Sequence, residues 1–286
     1  MMPESTRDNK VACFSEYDTL KKVILCEPQF MRIKDIINET QKHFIDEGIH
    51  IETAMKQHKQ FVNALQDYGV EVLLLPSLER YPEQVFTRDI GFTIGDTVFV
   101  AEMASKVRKG EENLLVSYLS EKRLAFCNLT GDRIEGGDVI IDRNTVYVGL
   151  SERTNEEAAS HLQTLLPDFE VVPVPFTDKY LHLDCVFNII SPEEALIYPG
   201  EIHKEKLELL ASRYDLIEIS EEEQFTLGTN VLSIGNKNVF SLPVNKKVNK
   251  ELRNRGYDVI EVDISEIIKS GGAFRCCTLP ILRENH

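Results

Sequence analysis

Residues 231–262 contain one complete copy of the pattern that decides the fold, VLSIGNKNVFSLPVNKKVNKELRNRGYDVIEV. Two apolar stretches flank Gly235-Asn236, which is typical of a β-hairpin, because its turn favours residues that tolerate a positive φ. An amphipathic helix pattern over 246–255 follows and leads to another apolar strand candidate over 259–262. The unit predicted by this stretch is hairpin, helix, strand.

The same unit recurs upstream, at nearly constant spacing. Further hairpins are predicted over 91–102, 139–150 and 186–199, and further helices over 52–68, 111–122, 155–166 and 203–213. Thr154 and Glu157 resemble a capping box at the start of one helix. The hairpins open at positions separated by 49, 46, 46 and 46 residues, namely Asp89, Asp138, Asp184, Asn230 and Cys276. Such regularity predicts five equivalent units.

A unit of this length cannot cover its own apolar face, so it must pack against its neighbours in a closed ring or an open solenoid. The last unit is truncated, with only a strand over 278–282, whereas 22–26 is a strand without a hairpin partner. We expect these two strands to pair, because a closed ring leaves no unpaired edge. The fold class is α/β, and the hairpin openings should converge on one central pocket.

Composition limits the class of protein and its partners. The chain has 286 residues, 42% of them hydrophobic, and a formal charge of -15, which excludes disordered and collagen-like proteins. The negative charge argues against nucleic acid and membrane surfaces as partners. No apolar run approaches the roughly 18 residues of a membrane span, and the first ten residues include four charged ones where a signal peptide needs an apolar stretch, so we expect a cytoplasmic protein.

The cysteines are scattered and include no CxxC pair, so neither a zinc site nor a disulfide framework is indicated. Reduced thiols with core positions are expected for Cys13, Cys26, Cys127, Cys185 and Cys277. Cys276 differs because it follows Gly271-Gly272 and occupies a hairpin-opening position. A thiol, the His182 imidazole and several carboxylates should therefore share one cavity, as nucleophilic catalysis requires.

Four ordered segments carry a resemblance to a known superfamily: FTRD (86–89), EGGD (135–138), HLD (182–184) and GGAFRC (271–276). Together with KVILCEP (22–28), they resemble the guanidino-group-modifying enzymes, or penteins, over residues 17–282. That superfamily includes arginine deiminases, dimethylarginine dimethylaminohydrolases and amidinotransferases. The resemblance implies a five-bladed α/β propeller with ββαβ repeats around a central active-site pocket and a single catalytic domain over 1–286. It implies no cofactor and no metal.

The resemblance also assigns roles to individual residues. Cys276 matches the nucleophile that attacks the guanidinium carbon and forms an amidino-thiol intermediate. His182 matches the general acid and base, and Glu135 matches the carboxylate that orients the imidazole. Asp89 matches the clamp for the guanidinium, which presents planar N–H donors to a carboxylate.

The resemblance implies a small guanidino amino acid as the substrate, because Arg108 and Arg153 resemble ligands of a substrate carboxylate. Asp184 would supply a second guanidinium clamp. Dimethylarginine hydrolases usually have an acidic residue at the position of Arg88 and none at the position of Asp184, so both positions favour free arginine as the substrate. The length of the chain instead favours a dimethylarginine dimethylaminohydrolase. Arg88 could pair with Glu135 or Asp138, or face away beneath the pocket. The expected products are citrulline and an amine or ammonia.

Other functions stay open from the sequence. Amidino transfer uses the same intermediate, with an amine in place of water, and a non-catalytic propeller that serves as a binding module is a further alternative. A cysteine metal or redox site is disfavoured because Cys276 lacks a resolving cysteine. Agmatine is disfavoured because it lacks a carboxylate. Homo-oligomer formation is left open.

Overall fold

A computed structural model describes residues 10–285. This part of the chain forms eight α-helices: α1 (Glu39–Phe44), α2 (Ile51–Asp67), α3 (Glu112–Lys122), α4 (Glu156–Leu165), α5 (Lys204–Arg213), α6 (Glu221–Phe225), α7 (Lys246–Asn254) and α8 (Ser265–Ile268). The same residues form fifteen strands: β1 (Thr19–Cys26), β2 (Glu71–Leu75), β3 (Gly91–Ile94), β4 (Thr97–Val100), β5 (Phe126–Asn128), β6 (Val139–Asp142), β7 (Thr145–Leu150), β8 (Glu170–Pro175), β9 (Phe187–Ile189), β10 (Glu194–Ile197), β11 (Asp215–Glu218), β12 (Leu232–Gly235), β13 (Asn238–Ser241), β14 (Asp258–Glu261) and β15 (Leu279–Glu284). Over residues 10–285, no helix has the length and apolar character needed to cross a membrane.

The strands form five sheets of three strands each, in the orders β15-β1-β2, β3-β4-β5, β6-β7-β8, β9-β10-β11 and β12-β13-β14. In every sheet the middle strand is antiparallel to one neighbour and parallel to the other. For example, β13 is antiparallel to β12, its hairpin partner, and parallel to β14, which follows helix α7. The four predicted hairpins are confirmed, and each sheet is one blade of the predicted α/β propeller.

The first blade closes the ring, because it combines the first and the last strands. β1 pairs in parallel with β2 and antiparallel with β15, with Val23 opposite Pro280. The predicted pairing between 22–26 and 278–282 is confirmed. The blade then packs on both neighbours, since β15 contacts β3 and β1 contacts β12.

Apolar side chains hold neighbouring blades together. Five buried clusters each combine residues of two adjacent blades, as illustrated by the pairs Ile24 and Val98, Phe99 and Val146, Tyr147 and Phe187, Leu196 and Val239, and Phe61 and Phe240. Four of these pairs join two strand residues, and the fifth joins Phe61 of helix α2 to Phe240 of β13. Full burial of one such side chain contributes about 1.5–3 kcal/mol. The core is therefore distributed around the ring.

The start of helix α4 differs from the predicted capping box. Asn155 is the N-cap residue, and its side chain accepts a hydrogen bond from the amide of Ala158. Thr154 instead accepts from the amide of Glu135, at 3.1 Å, and so connects this helix to the predicted site. The prediction of Thr154 and Glu157 as a capping box was wrong because Asn155, an equally good cap, lies one position later.

The chain before β1 crosses the hairpin-turn ends of several blades. Isolated bridges join Ala12 to Leu282, Cys13 to Gly95 and Ser15 to Asp142. This N-terminal segment, residues 11–18, is mostly buried. It brings Glu16 to the ring axis, at the end of the propeller opposite the hairpin openings.

Candidate active site

The residues that open the hairpins meet at the ring axis. Asp138 Oδ1 accepts a hydrogen bond from the amide of Leu183 at 2.8 Å. Asn230 Nδ2 lies 3.2 Å from the carbonyl oxygen of Asp184 and 3.1 Å from Sγ of Cys276. Residues about 46 positions apart in the sequence are therefore neighbours in space, as the repeat predicts.

Cys276 lies in a turn just before β15 rather than within the strand. Its amide donates to Asn230 Oδ1 at 3.1 Å, and its carbonyl accepts from the amide of Arg88 at 3.0 Å. The turn requires glycine before it, because a Cβ on Gly272 would lie 2.4 Å from the Phe86 ring. The backbone of the thiol residue is thus fixed from two neighbouring blades.

The Cys276 thiol points at a carboxylate. Its Sγ lies 3.5 Å from Oδ2 of Asp184, and all of these atoms are buried. Burial raises the pKa of the thiol well above its ordinary value, and the charges of Asp184 and Asp89 raise it further. A neutral thiol is a weak nucleophile, so this site would activate Cys276 only when a cation offsets the carboxylates.

His182 is held between two carboxylates. Its Nε2 lies 2.8 Å from Oε2 of Glu135, and its Nδ1 lies 3.6 Å from Oδ1 of Asp89. Burial alone would lower the pKa of His182, but Asp89, Glu135 and Asp138 outweigh it and raise the pKa to about 10. The imidazole is therefore a cation at neutral pH and can act as a proton donor.

Asp89 and Arg108 form an ion pair inside the site. Arg108 Nη1 contacts Asp89 Oδ2, and its Nε and Nη2 donate to Glu111 at 3.0 and 2.8 Å. Burial raises the pKa of Asp89, against the influence of His182 and Arg108. In this conformation Arg108 occupies the predicted guanidinium clamp and presents no free edge to a substrate carboxylate. The predicted carboxylate-binding role of Arg108 requires it to leave Asp89.

Arg153 lies near the site with its guanidinium unoccupied. Its amide donates to Ser151 Oγ at 2.9 Å, but no ion pair or hydrogen bond of its side chain occurs among residues 10–285. Its positive charge is close enough to contribute to lowering the pKa of Glu135. Of the two predicted carboxylate ligands, Arg153 is the one available in this conformation.

Loops cover the site and keep it from solvent. The first is the covering loop, residues 101–111, which carries Arg108 and whose Ala104 amide donates to Oε1 of Glu135 at 2.9 Å. A second segment docks through Asn38, whose Nδ2 donates to the carbonyl of Ser270 at 2.9 Å. A ligand can reach Cys276 only if these loops move.

Several residues at the site were not predicted from the sequence. Asn230 contacts the thiol, and its place in the 46-residue repeat was a usable signal. Arg275 donates to Asp184 Oδ2 at 2.7 Å and to Glu16 Oε1 at 3.0 Å. Arg88 pairs with neither Glu135 nor Asp138, because its Nη2 lies 3.6 Å from Oε2 of Glu16. No signal in the repeat points to Glu16.

The predicted site residues fall into two groups. Six of the seven are buried together at the axis, namely Cys276, Asp184, His182, Glu135, Asp89 and Arg108, whereas Arg153 lies at its edge. Residues 10–285 contain no cluster of His, Cys, Asp or Glu arranged to hold a metal ion. A buried thiol, a cationic imidazole and two carboxylates therefore lie close together, which is the set of groups that covalent catalysis by a thiol requires.

The fold and the arrangement of the site residues are those of the enzymes that modify guanidino groups. Residues 27–283 match the family model described as N,N dimethylarginine dimethylhydrolase, eukaryotic. The chain belongs to this family.

Several known proteins are similar to this chain. The chain is 55% identical to the uncharacterized protein YkgA of Bacillus subtilis (strain 168), over 96% of each sequence. It is 26% identical to an arginine deiminase of Bacillus cytotoxicus, over 100% of this chain and 78% of that protein. The N-terminal domain of ArgZ, an arginine dihydrolase of cyanobacteria, has the same fold, with a TM-score of 0.86 and 24% identity over 93% of this chain and 98% of that domain.

Proposed function

We propose that this protein is a cysteine-dependent hydrolase of the guanidino group of arginine or an N-methylated arginine. The observation that carries the proposal is the Cys276 thiol, which lies 3.5 Å from Asp184 and is buried near the ring axis, as is the His182–Glu135 pair. Membership of the dimethylarginine hydrolase family supports it.

Substrate binding begins with charge. Two buried carboxylates, Asp184 and Asp89, both act electrostatically on the Cys276 thiol, and a planar guanidinium satisfies such a pair with several N–H donors. For binding, Arg108 leaves Asp89 and moves with the covering loop. Arg153, and Arg108 in its new position, then bind the substrate carboxylate.

The bound cation offsets the charges that hold the thiol neutral. The pKa of Cys276 therefore falls on binding, the thiol proton passes to bulk water as the substrate enters, and the resulting thiolate attacks the central guanidinium carbon. His182, which is protonated in the free site, gives its proton to the departing nitrogen, and ammonia or a methylated amine leaves. A covalent amidino-thiol intermediate remains on Cys276.

Water completes the reaction. The neutral imidazole takes a proton from a water molecule, whose oxygen attacks the amidino carbon and expels the thiolate. The products are citrulline and the amine, with one water consumed per turnover. An amidinotransferase would differ only in this step, with an amine in place of water.

A product screen tests the proposal. The protein is incubated with arginine, monomethylarginine, asymmetric dimethylarginine and agmatine, while citrulline and released amine are measured. We expect citrulline from arginine or a methylarginine, with ¹⁸O from labelled water in the product, and much slower release of ammonia from agmatine, which cannot form citrulline. Absence of citrulline and amine with all substrates contradicts the proposal, and loss of amidino groups to an added amine without ¹⁸O indicates transfer.

A further inference from the structure

A buried ion cluster lies directly behind the thiol. Arg275 Nη1 donates to Asp184 Oδ2 at 2.7 Å, and Nη2 donates to Glu16 Oε1 at 3.0 Å and to the carbonyl of Val139 at 2.7 Å. Glu16 Oε2 lies 3.6 Å from Nη2 of Arg88. All four charged side chains are at most 4% exposed. The cluster thus connects the N-terminal segment to the carboxylate beside Cys276.

The charges of the cluster balance. Two cations, Arg88 and Arg275, face two anions, Glu16 and Asp184, and the third nearby cation, Arg283, is directed at backbone oxygens of Asp18 and Ser233. A buried charge is tolerated only when it is paired and hydrogen-bonded. The Arg275 guanidinium is the one group that touches both anions.

Arg275 determines how the Asp184 carboxylate is presented. Oδ2 accepts from Arg275, and the same oxygen lies 3.5 Å from Cys276 Sγ, so a turn of the carboxylate would change both contacts. Glu16 holds the other end of the guanidinium and so prevents Arg275 from rotating away. Burial would raise the pKa of Glu16, but Arg275, Arg88 and Arg283 lower it to about 2, so Glu16 stays anionic at working pH.

We propose that Arg275 and Glu16 are positioning residues, which hold Asp184 as a fixed carboxylate beside the Cys276 thiol. This inference rests on the proposed function, because it assigns a purpose to the Asp184 clamp. Neither residue touches the reacting atoms. The N-terminal segment is therefore part of the catalytic apparatus, although it lies outside the repeats.

A role in thiol chemistry can be separated from a role in folding. Arg275→Met removes one of the two cations, which leaves the anions Glu16 and Asp184 with only Arg88 to balance them. The variant should therefore lose stability. The double variant Glu16→Gln, Arg275→Met restores the balance of charge, since Arg88 and Asp184 remain. If the cluster served stability alone, the double variant would recover every property of the native protein.

The experiment measures alkylation of Cys276 by iodoacetamide as a function of pH, with peptide mapping to distinguish the six cysteines. Loss of Arg275 leaves Asp184 Oδ2 without its hydrogen-bonded cation, so the alkylation midpoint should rise by about one pH unit in both the single and the double variant. Arg275→Lys should fall between these and the native protein. The thermal midpoint of the double variant should return towards the native value, whereas its alkylation midpoint should stay above the native one.

Arg283→Met is the matched control, because Arg283 is equally buried but makes no contact with Asp184. It should lower the thermal midpoint and leave the alkylation midpoint unchanged. A native alkylation profile in the folded double variant overturns the proposal. Because alkylation needs no substrate, this result is independent of whether any guanidino compound is turned over. With an active substrate, the double variant should also lose about tenfold in kcat with a smaller change in KM.

Discussion

The Nε2 of His182 lies 2.8 Å from Oε2 of Glu135, a residue 47 positions earlier in the chain and one blade away. Both side chains are almost fully buried. This contact, together with Asp89 on the other ring nitrogen, makes the imidazole a stable cation. In the proposed mechanism, His182 is therefore charged before the substrate arrives.

Replacing Glu135 by Gln should lower the pKa of His182, because it removes a carboxylate that raises this pKa. Below its pKa, His182 is protonated and can donate to the leaving nitrogen, so the alkaline limb of the kcat profile should move to lower pH. We expect kcat to fall by about 10²-fold or more. The pH dependence of kcat checks this, with the exposed Glu152→Gln as control. An unmoved alkaline limb would remove Glu135 from its assigned role.

Cys276→Ser should abolish turnover, because a hydroxyl cannot replace the thiolate as nucleophile. We expect kcat to fall by more than about 10⁴-fold, with an unchanged fold by circular dichroism. Cys277→Ser is the matched control, since Cys277 is the next residue and equally buried but does not contact Asp184. Equal loss in the two variants would contradict the assignment of Cys276 as the nucleophile.

Asp184→Asn should have opposite effects on the thiol and on turnover. The charge of Asp184 raises the pKa of Cys276, so its removal should lower that pKa and speed alkylation by iodoacetamide at pH 8. Loss of the guanidinium clamp should at the same time reduce kcat/KM and the preference for arginine over methylarginines. Alkylation rates and relative turnover rates are measured side by side, with the exposed Asp178→Asn as control. Slower alkylation, or unchanged preference, would count against the assigned position of Asp184.

Arg153→Ala should reduce the preference of the enzyme for substrates that have a carboxylate. A hydrogen bond to a charged group contributes about 1.5–3 kcal/mol, so the ratio of kcat/KM for arginine to that for agmatine should fall about tenfold or more. Most of the effect should be in KM. Lys179→Ala is the control, because Lys179 is an exposed cation that lines the same surface depression as Glu152, the residue immediately before Arg153. If both variants change the ratio equally, general electrostatic attraction is the better explanation.

Gly137→Ala should displace the catalytic imidazole. A Cβ at this position would lie 2.6 Å from Cγ and Nδ1 of His182, closer than any ordinary contact. A shift of about 1 Å in a catalytic group lowers kcat by roughly 10²-fold. Kinetic constants and thermal midpoints are compared with Gly200→Ala, where a Cβ meets no atom within 4 Å. Native kcat in Gly137→Ala would show that the imidazole tolerates displacement.

Much of the fold followed from the sequence because each blade repeats one local pattern. Turn residues such as Gly235-Asn236 and a helix of 3.6-residue period such as α7 are encoded within a few residues. The short helices α1, α6 and α8 were not predicted, since a helix of one turn or so does not show a period. Equal spacing also predicted which backbone positions would meet at the axis.

Side-chain partners were harder to predict than backbone positions. The repeat places Asp89 at the axis but does not say that Arg108, from the covering loop, will contact it. Long side chains such as Arg275 can reach in several directions, and which carboxylates they meet depends on the completed ring. Glu16 belongs to no repeat, so its contact with Arg275 could be seen only in the structure.

Closure of the ring between β1 and β15 has a consequence for biosynthesis. When a ribosome has completed the other four blades, it has not yet made Cys276 or β15, the strand that pairs with Val23. Until then β1 has an unpaired edge, and contacts spanning more than 250 residues form last and slowly. A nascent chain of this kind is inert and prone to aggregate, and it acquires its chemistry in the same step that buries its exposed edge.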